Sequence, residues 1–212
     1  MSEHDANARY IRETTVEPDV ISRARAHAVE IGATPVSTAV GTQLAVLAAA
    51  TGARSIVEIG TGAGVSGLWL LRGAPQAVLT TIDIEPEHLA VARRSFADAK
   101  VPTTRVRLIT GRAADVLPRM NESAYDIVLV DADAENVIEY VEHGLRLVRT
   151  GGMVLVPRVL AGGRVADPVQ RDAVTAAYRS LIQETQDSPA VLATLSSAGD
   201  GLLQLVTLPH TD

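Results

Sequence analysis

Cysteine is absent from the 212 residues, which excludes disulfides, thiolate nucleophiles and thiolate metal sites. Lysine occurs once, as Lys100, so chemistry that needs an ammonium side chain from lysine must use that residue. Basic charge is in short supply: 19 Lys and Arg stand against 25 Asp and Glu, a net charge of −6, and no nucleic-acid partner is expected of such a balance. No stretch approaches the ~18 to 20 uninterrupted apolar residues that span a bilayer, and MSEHDANARYIRETT carries no apolar leader core. A cytoplasmic location without membrane contact is therefore expected. What is present is ordinary globular material, 47% hydrophobic and 21% charged. At about 150 residues per domain, the length points to one domain. Residues 1–15 are polar and read as a flexible N-terminus, and residues 16–212 read as the domain, opened by helices within 17–52.

Apolar spacing predicts helices over 17–31 and from Ser37 to Gly52. Beyond Arg54 the pattern changes to short β-branched runs separated by helix-length segments, the mark of βαβ units. Strands are predicted at 55–59, 78–84, 105–110, 125–131 and 153–157, with helices over 64–72, 86–99, 113–120, 136–148 and 168–184. Two further β runs, 190–195 and 201–208, are joined by a turn too short for a crossover helix, so they should pair as a hairpin. The expected fold is α/β, with a Rossmann-like, seven-stranded, mostly parallel sheet, a C-terminal antiparallel β-hairpin and helices on both faces.

Between the first predicted strand and its helix lies VEIGTGAGVSG. Gly60, Gly62 and Gly64 permit a sharp turn and close approach to a ligand, with Ser66 and nearby amides at a helix start. A pyrophosphate could rest on such a loop, with Asp83 taking a ribose hydroxyl, as in an NAD(P)-dependent oxidoreductase. Glu58 opposes that reading, because its carboxylate would face the phosphate charge. S-adenosylmethionine instead carries an ammonium and a sulfonium, which a strand-end carboxylate favours. Asp83 would then accept the ribose hydroxyls and Ile84 would press on the adenine. Further along, YDIVLVDADAEN brings Asp131 and Asp133 out at the same sheet edge. Asp133 suits an N-cap, whereas Asp131 suits the site.

These segments, VEIGTGAGVSG, TIDIEP, GRAADVLP and YDIVLVDAD, in this order and at these intervals, resemble the class I O-methyltransferases of the catechol and caffeoyl-CoA type, over about residues 37–208. The resemblance implies S-adenosylmethionine contacts at Val40, Glu58, Gly60, Thr61, Gly62, Ser66, Asp83, Ile84, Ala113 and Asp131, a small-molecule hydroxyl acceptor, phenols among them, and a homodimer. With aromatic residues at 3%, apolar contact rather than stacking must serve the adenine.

Metal-dependent members of that family continue the strand end as Asp-x-Asp-Lys and place Asp-Asn after the next strand. Here Ala134 replaces the lysine, and Pro157 and Arg158 stand where Asp-Asn would fall. A divalent cation needs several oxygen ligands, so the family's metal site is not expected and no metal-ligating residue is assigned. Arg158 is expected to supply the positive charge in its place, with Asp131 orienting the acceptor or taking its proton. A simple Arg158–Asp131 pair closing the crevice is the alternative. Loss of the cation site also leaves open a homologue that binds S-adenosylmethionine without catalysis.

Overall fold

Alternating short strands and helices build one sheet in the computed structural model, which describes residues 3–209. The strands are β1 (Ser55–Ile59), β2 (Val78–Asp83), β3 (Val106–Thr110), β4 (Tyr125–Val130), β5 (Val148–Pro157), β6 (Val191–Ser196) and β7 (Leu202–Thr207), in the order β3-β2-β1-β4-β5-β7-β6. β1 to β5 run parallel, while β7 lies antiparallel to both β5 and β6. The expected mixed sheet with its terminal hairpin is thus observed.

Strand alternation divides the core in two. Ile56, Leu79, Ile127, Leu129 and Leu155 face α2 (Asp19–Glu30), α3 (Thr38–Ala50), α4 (Val65–Gly73) and α5 (Pro86–Asp98), around Trp69 and Leu44. Val57, Ile82, Val128, Val154 and Leu205 face the other way, toward α6 (Ala113–Val116), α7 (Val137–Leu147) and α8 (Ala173–Asp187). Helix starts follow local chemistry: the Ser37 hydroxyl accepts from the Val40 amide, and Pro86 occupies the first turn of α5. No helix among the described residues is long and apolar enough to cross a membrane.

Two sequence expectations differ from the structure. The N-terminal segment carries a helix, α1 (Glu3–Thr14), where no element was predicted. It contains neither Gly nor Pro, Arg9 pairs with Glu13 one turn on, and Thr14 closes its end on the Tyr10 carbonyl. Pro168 does not start α8. Asp172 does, accepting from both the amide and the hydroxyl of Thr175. The preceding residues stay irregular because the Arg179 guanidinium takes the carbonyls of Val165, Gln170, Arg164 and Asp167.

Candidate active site

The strand order reverses between β2-β1 and β4-β5, and at that point the C-terminal ends of the parallel strands open onto a cavity of about 740 Å³. Its floor is the chain leaving β1. Gly60 has φ +91°, and a Cβ there would overlap the backbone carbonyl of Asp131, so only glycine lets the two strand ends approach. The loop is held from β2: Asp83 accepts the amides of Thr61 and Gly62 on one oxygen, each at 2.9 Å, and that of Glu85 on the other at 3.0 Å. His88 Nδ1 lies 3.2 Å from the same carboxylate. Ile84, Gly111, Arg112 and Ala113 form the neighbouring wall.

The opposite wall is built on β4 and β5. Asp131, the first residue past β4, has a side chain only 7% exposed. Burial pushes its carboxyl up to about 6, against the pull of the Arg158 cation. Arg158 directs one guanidinium nitrogen to Asp131 Oδ1 and another to the Thr34 carbonyl, both at 2.5 Å. It does so from a left-handed backbone, φ +64°, which costs a non-glycine residue roughly 1 to 2 kcal/mol. Asp133, by contrast, is occupied: it accepts from the backbone and side-chain amides of Asn136 and from the Tyr140 hydroxyl at 3.0 Å. Burial and that bond to Asp133 push the Tyr140 phenol up to about 12.

Of the residues singled out in the sequence, Gly60, Thr61, Gly62, Ser66, Asp83, Ile84, Ala113, Asp131 and Arg158 meet around this cavity. Val40 and Glu58 are not among its lining residues. Val40 is 2% exposed and packs in the core with Leu44 and Trp69. Glu58 is 0% exposed and lies beneath the loop, accepting from the Ser66 and Thr81 hydroxyls at 2.6 Å each. Burial pushes it up to about 7. Sequence reasoning missed His88, although Pro86 starting a helix beside Asp83 puts His88 within one turn of that acid. Thr34 contributes through its backbone and left no sequence signal.

The residues present do not fit a divalent cation of the family's kind. The Asp131 oxygen that would serve as a ligand lies against a guanidinium, and the β5 end offers Pro157 and Arg158 in place of oxygen donors. Among the described residues, no group of three or more His, Asp or Glu side chains has the arrangement to hold a metal ion.

The sequence profile of the O-methyltransferase family matches residues 14–207. A Mycobacterium marinum relative named as an O-methyltransferase is 46% identical over 191 residues, covering 90% of this chain and 85% of the relative. The crystal structure of the O-methyltransferase TomG from Streptomyces achromogenes, in complex with S-adenosylmethionine, is 30% identical with a TM-score of 0.86, covering 99% of this chain and 100% of that one. The O-methyltransferase from Bacillus cereus, in complex with S-adenosylhomocysteine, is 27% identical with a TM-score of 0.83 over 95% and 97% of the two chains. On the match of the family profile and of these relatives over nearly its whole length, this chain belongs to the O-methyltransferase family.

Proposed function

We propose that the chain is an S-adenosylmethionine-dependent O-methyltransferase acting on a hydroxyl of a small molecule, a phenol being the preferred type, without a divalent metal. The observation that carries this reading is the Arg158 guanidinium held beside Asp131 on the cavity wall. The cofactor, when bound, supplies a methyl group on a cationic sulfur, which the acceptor oxygen displaces: the oxygen–carbon bond forms as the carbon–sulfur bond breaks, and the electron pair stays on sulfur.

The remaining work falls to this chain's residues. Ionising a phenol of pKa ~10 near pH 7 costs about 4 kcal/mol. A guanidinium about 4 Å from the oxygen, at an effective dielectric near 20, returns about 4 kcal/mol. With its side chain 32% exposed and shared with Asp131, Arg158 therefore offsets roughly 2 to 3 kcal/mol of the cost of holding the acceptor as its oxyanion. Asp131, with its carboxyl near 6, is largely ionised at pH 7 and is placed in the reading as the group that takes the acceptor's proton. The cofactor's amino-acid end would meet Gly60, Thr61, Gly62 and Ser66, and its nucleoside end Asp83, Ile84 and Ala113.

A nicotinamide dinucleotide is not favoured, because nothing in the family membership points to hydride transfer and the only lysine, Lys100, lies outside the cavity. We read the chain as a cytoplasmic protein whose partner is a small molecule rather than a nucleic acid, in keeping with the net charge of −6. We also read it as a homodimer, with Leu192, 65% exposed on the edge strand β6, supporting an apolar contact. Sedimentation of the purified chain checks this.

Calorimetry with S-adenosylhomocysteine and with NADH tests the cofactor: the first is expected to bind, and selective binding of NADH would refute the assignment. A methylation assay on a phenol and catechol panel, with and without EDTA, tests the rest. Turnover unaffected by EDTA is expected. Turnover abolished by EDTA and restored by magnesium would refute the metal-free reading, and cofactor binding without turnover of any acceptor would favour the non-catalytic homologue.

A further inference from the structure

Past β5 the chain runs through a strained turn. Arg158 (φ +64°) and Ala161 (φ +50°) are both left-handed without being glycine, a conformation that persists only where the surroundings impose it. The Ala161 amide donates to the Arg158 carbonyl at 3.1 Å and closes the turn locally. Two further bonds come from a distant part of the chain, both to Asp200 at the tip of the β6–β7 hairpin. Its carbonyl accepts the Leu160 amide at 3.0 Å, and its carboxylate oxygen Oδ2 accepts the Gly162 amide at 2.7 Å.

The hairpin tip also reaches the segment that carries the other partner of Arg158. A Cβ on Gly201 would stand 2.6 Å from Leu160 Cγ, and one on Gly199 would stand 2.7 Å from Ser37 Oγ, the cap of α3 just beyond Thr34. The tip therefore bears on the turn that carries Arg158, through Leu160 and Gly162, and on the segment that carries Thr34, through Ser37. Asp200 is not among the residues lining the cavity, so it reaches the reaction through the chain it holds or through its charge.

We propose that Asp200 is a positioning residue for Arg158, a brace that keeps the turn after β5 left-handed and so keeps the guanidinium against Asp131 and Thr34. This rests on the reading of Arg158 as the cation that stabilises the acceptor's oxyanion. With the Gly162 bond lost, Arg158 relaxes toward negative φ, its side chain leaves the strand end in another direction, and the contacts with Asp131 Oδ1 and the Thr34 carbonyl go with it. The glycine loop is held separately, from Asp83 on β2, and does not feel the change. Asp200 thus bears on turnover and not on capture of the cofactor.

Steady-state methylation of a panel of phenols and catechols by the parent chain, Asp200→Ala, Asp200→Asn, Arg158→Met and the Asp200→Ala/Arg158→Met pair decides the matter. Asp200→Ala is expected to lower kcat about tenfold, the worth of one hydrogen bond to a charged group, with the KM for S-adenosylmethionine within about twofold of the parent's. Asp200→Asn keeps an oxygen for the Gly162 amide and should recover most of that loss. An Asn variant as slow as the Ala variant would make the charge responsible, and overturns the proposal. In the pair, Asp200→Ala should cost less than about twofold beyond Arg158→Met, because a residue that acts through Arg158 has nothing left to position. A further loss of about tenfold in the pair, or an Asp200→Ala rate within about twofold of the parent's, also overturns it. Arg158→Met at the parent's rate, or a parent that methylates no member of the panel, overturns instead the reading on which it rests. If Asp200→Ala does not fold, amide exchange in the parent chain serves: the Gly162 amide should exchange at least about tenfold more slowly than an open chain, and exchange at the open-chain rate overturns the proposal.

Discussion

Replacing Arg158 by Met removes the guanidinium and retains much of the side chain's bulk. At about 4 Å and an effective dielectric near 20 the charge is worth about 4 kcal/mol to an oxyanion. The side chain is 32% exposed and shared with Asp131, which reduces that figure to roughly 2 to 3 kcal/mol. Turnover at pH 7 is therefore expected to fall about a hundredfold. The KM for S-adenosylmethionine should hardly move, because Arg158 contacts the wall that carries Asp131 and Thr34 and not the glycine loop. The pH profile is the sharper readout. Without the cation, the oxyanion left when Asp131 takes the proton has no partner charge, so the rate should rise with pH more steeply than the parent's, toward the acceptor's own pKa of ~10. An Arg158→Met enzyme that turns over within twofold of the parent at pH 7, with the parent's profile, would refute the electrostatic argument and leave Arg158 a structural partner of Asp131. The backbone gives an independent check. At φ +64°, Arg158→Gly should melt roughly 2 to 4 °C above Arg158→Ala, since both lose the ion pair and only glycine is relieved of the left-handed strain.

Gly60→Ala sets a methyl group against the Asp131 carbonyl at a φ of +91°, and loss of S-adenosylhomocysteine binding by calorimetry, with a stability loss of about 2 kcal/mol or more, is expected. Gly41→Ala would drive its Cβ into the indole of Trp69, the only tryptophan, so a lower melting temperature and a shifted tryptophan emission should appear together, with cofactor affinity retained. Glu58 and Asp131 have carboxyls raised from 4.5 to about 7 and from 3.8 to about 6, so between pH ~4 and ~7 the folded chain holds more protons than the unfolded one. Their contribution to stability is greatest below that window and is lost as pH rises through it. Glu58→Gln should accordingly be more stable than the parent at pH 8, by at most about 3 kcal/mol in a denaturant titration, with the gap narrowing toward pH 5.

The βα alternation, the terminal hairpin and the cavity at the sheet's edge were legible because each is encoded locally, in β-branched runs, short connections and a glycine loop between strand and helix. The Arg158–Thr34 bond was not, since it joins positions 124 residues apart through a backbone carbonyl that any residue could supply. The start of α8 escaped for a similar reason: Pro168 is a local signal, overridden by the distant Arg179 holding the intervening carbonyls.

Glu58 shows how one position along a strand changes a residue's chemistry. Asp83 is the last residue of β2 and Asp131 the first past β4, so both leave the pleat and reach the cavity. Glu58 is the penultimate residue of β1, still paired in register with Thr81 and Leu129, and its side chain must go to one sheet face or the other. Parity with Ile56 sends it toward α4, where Ser66 and Thr81 receive it, while Ile59 takes the opposite face. A carboxylate buried there cannot attract a cation by contact. Its desolvation is offset in part by the hydrogen bonds it accepts from the Ser66 and Thr81 hydroxyls. The acid two residues before Gly60 is thus a buried acceptor of hydroxyl protons and not a charge on the cavity wall.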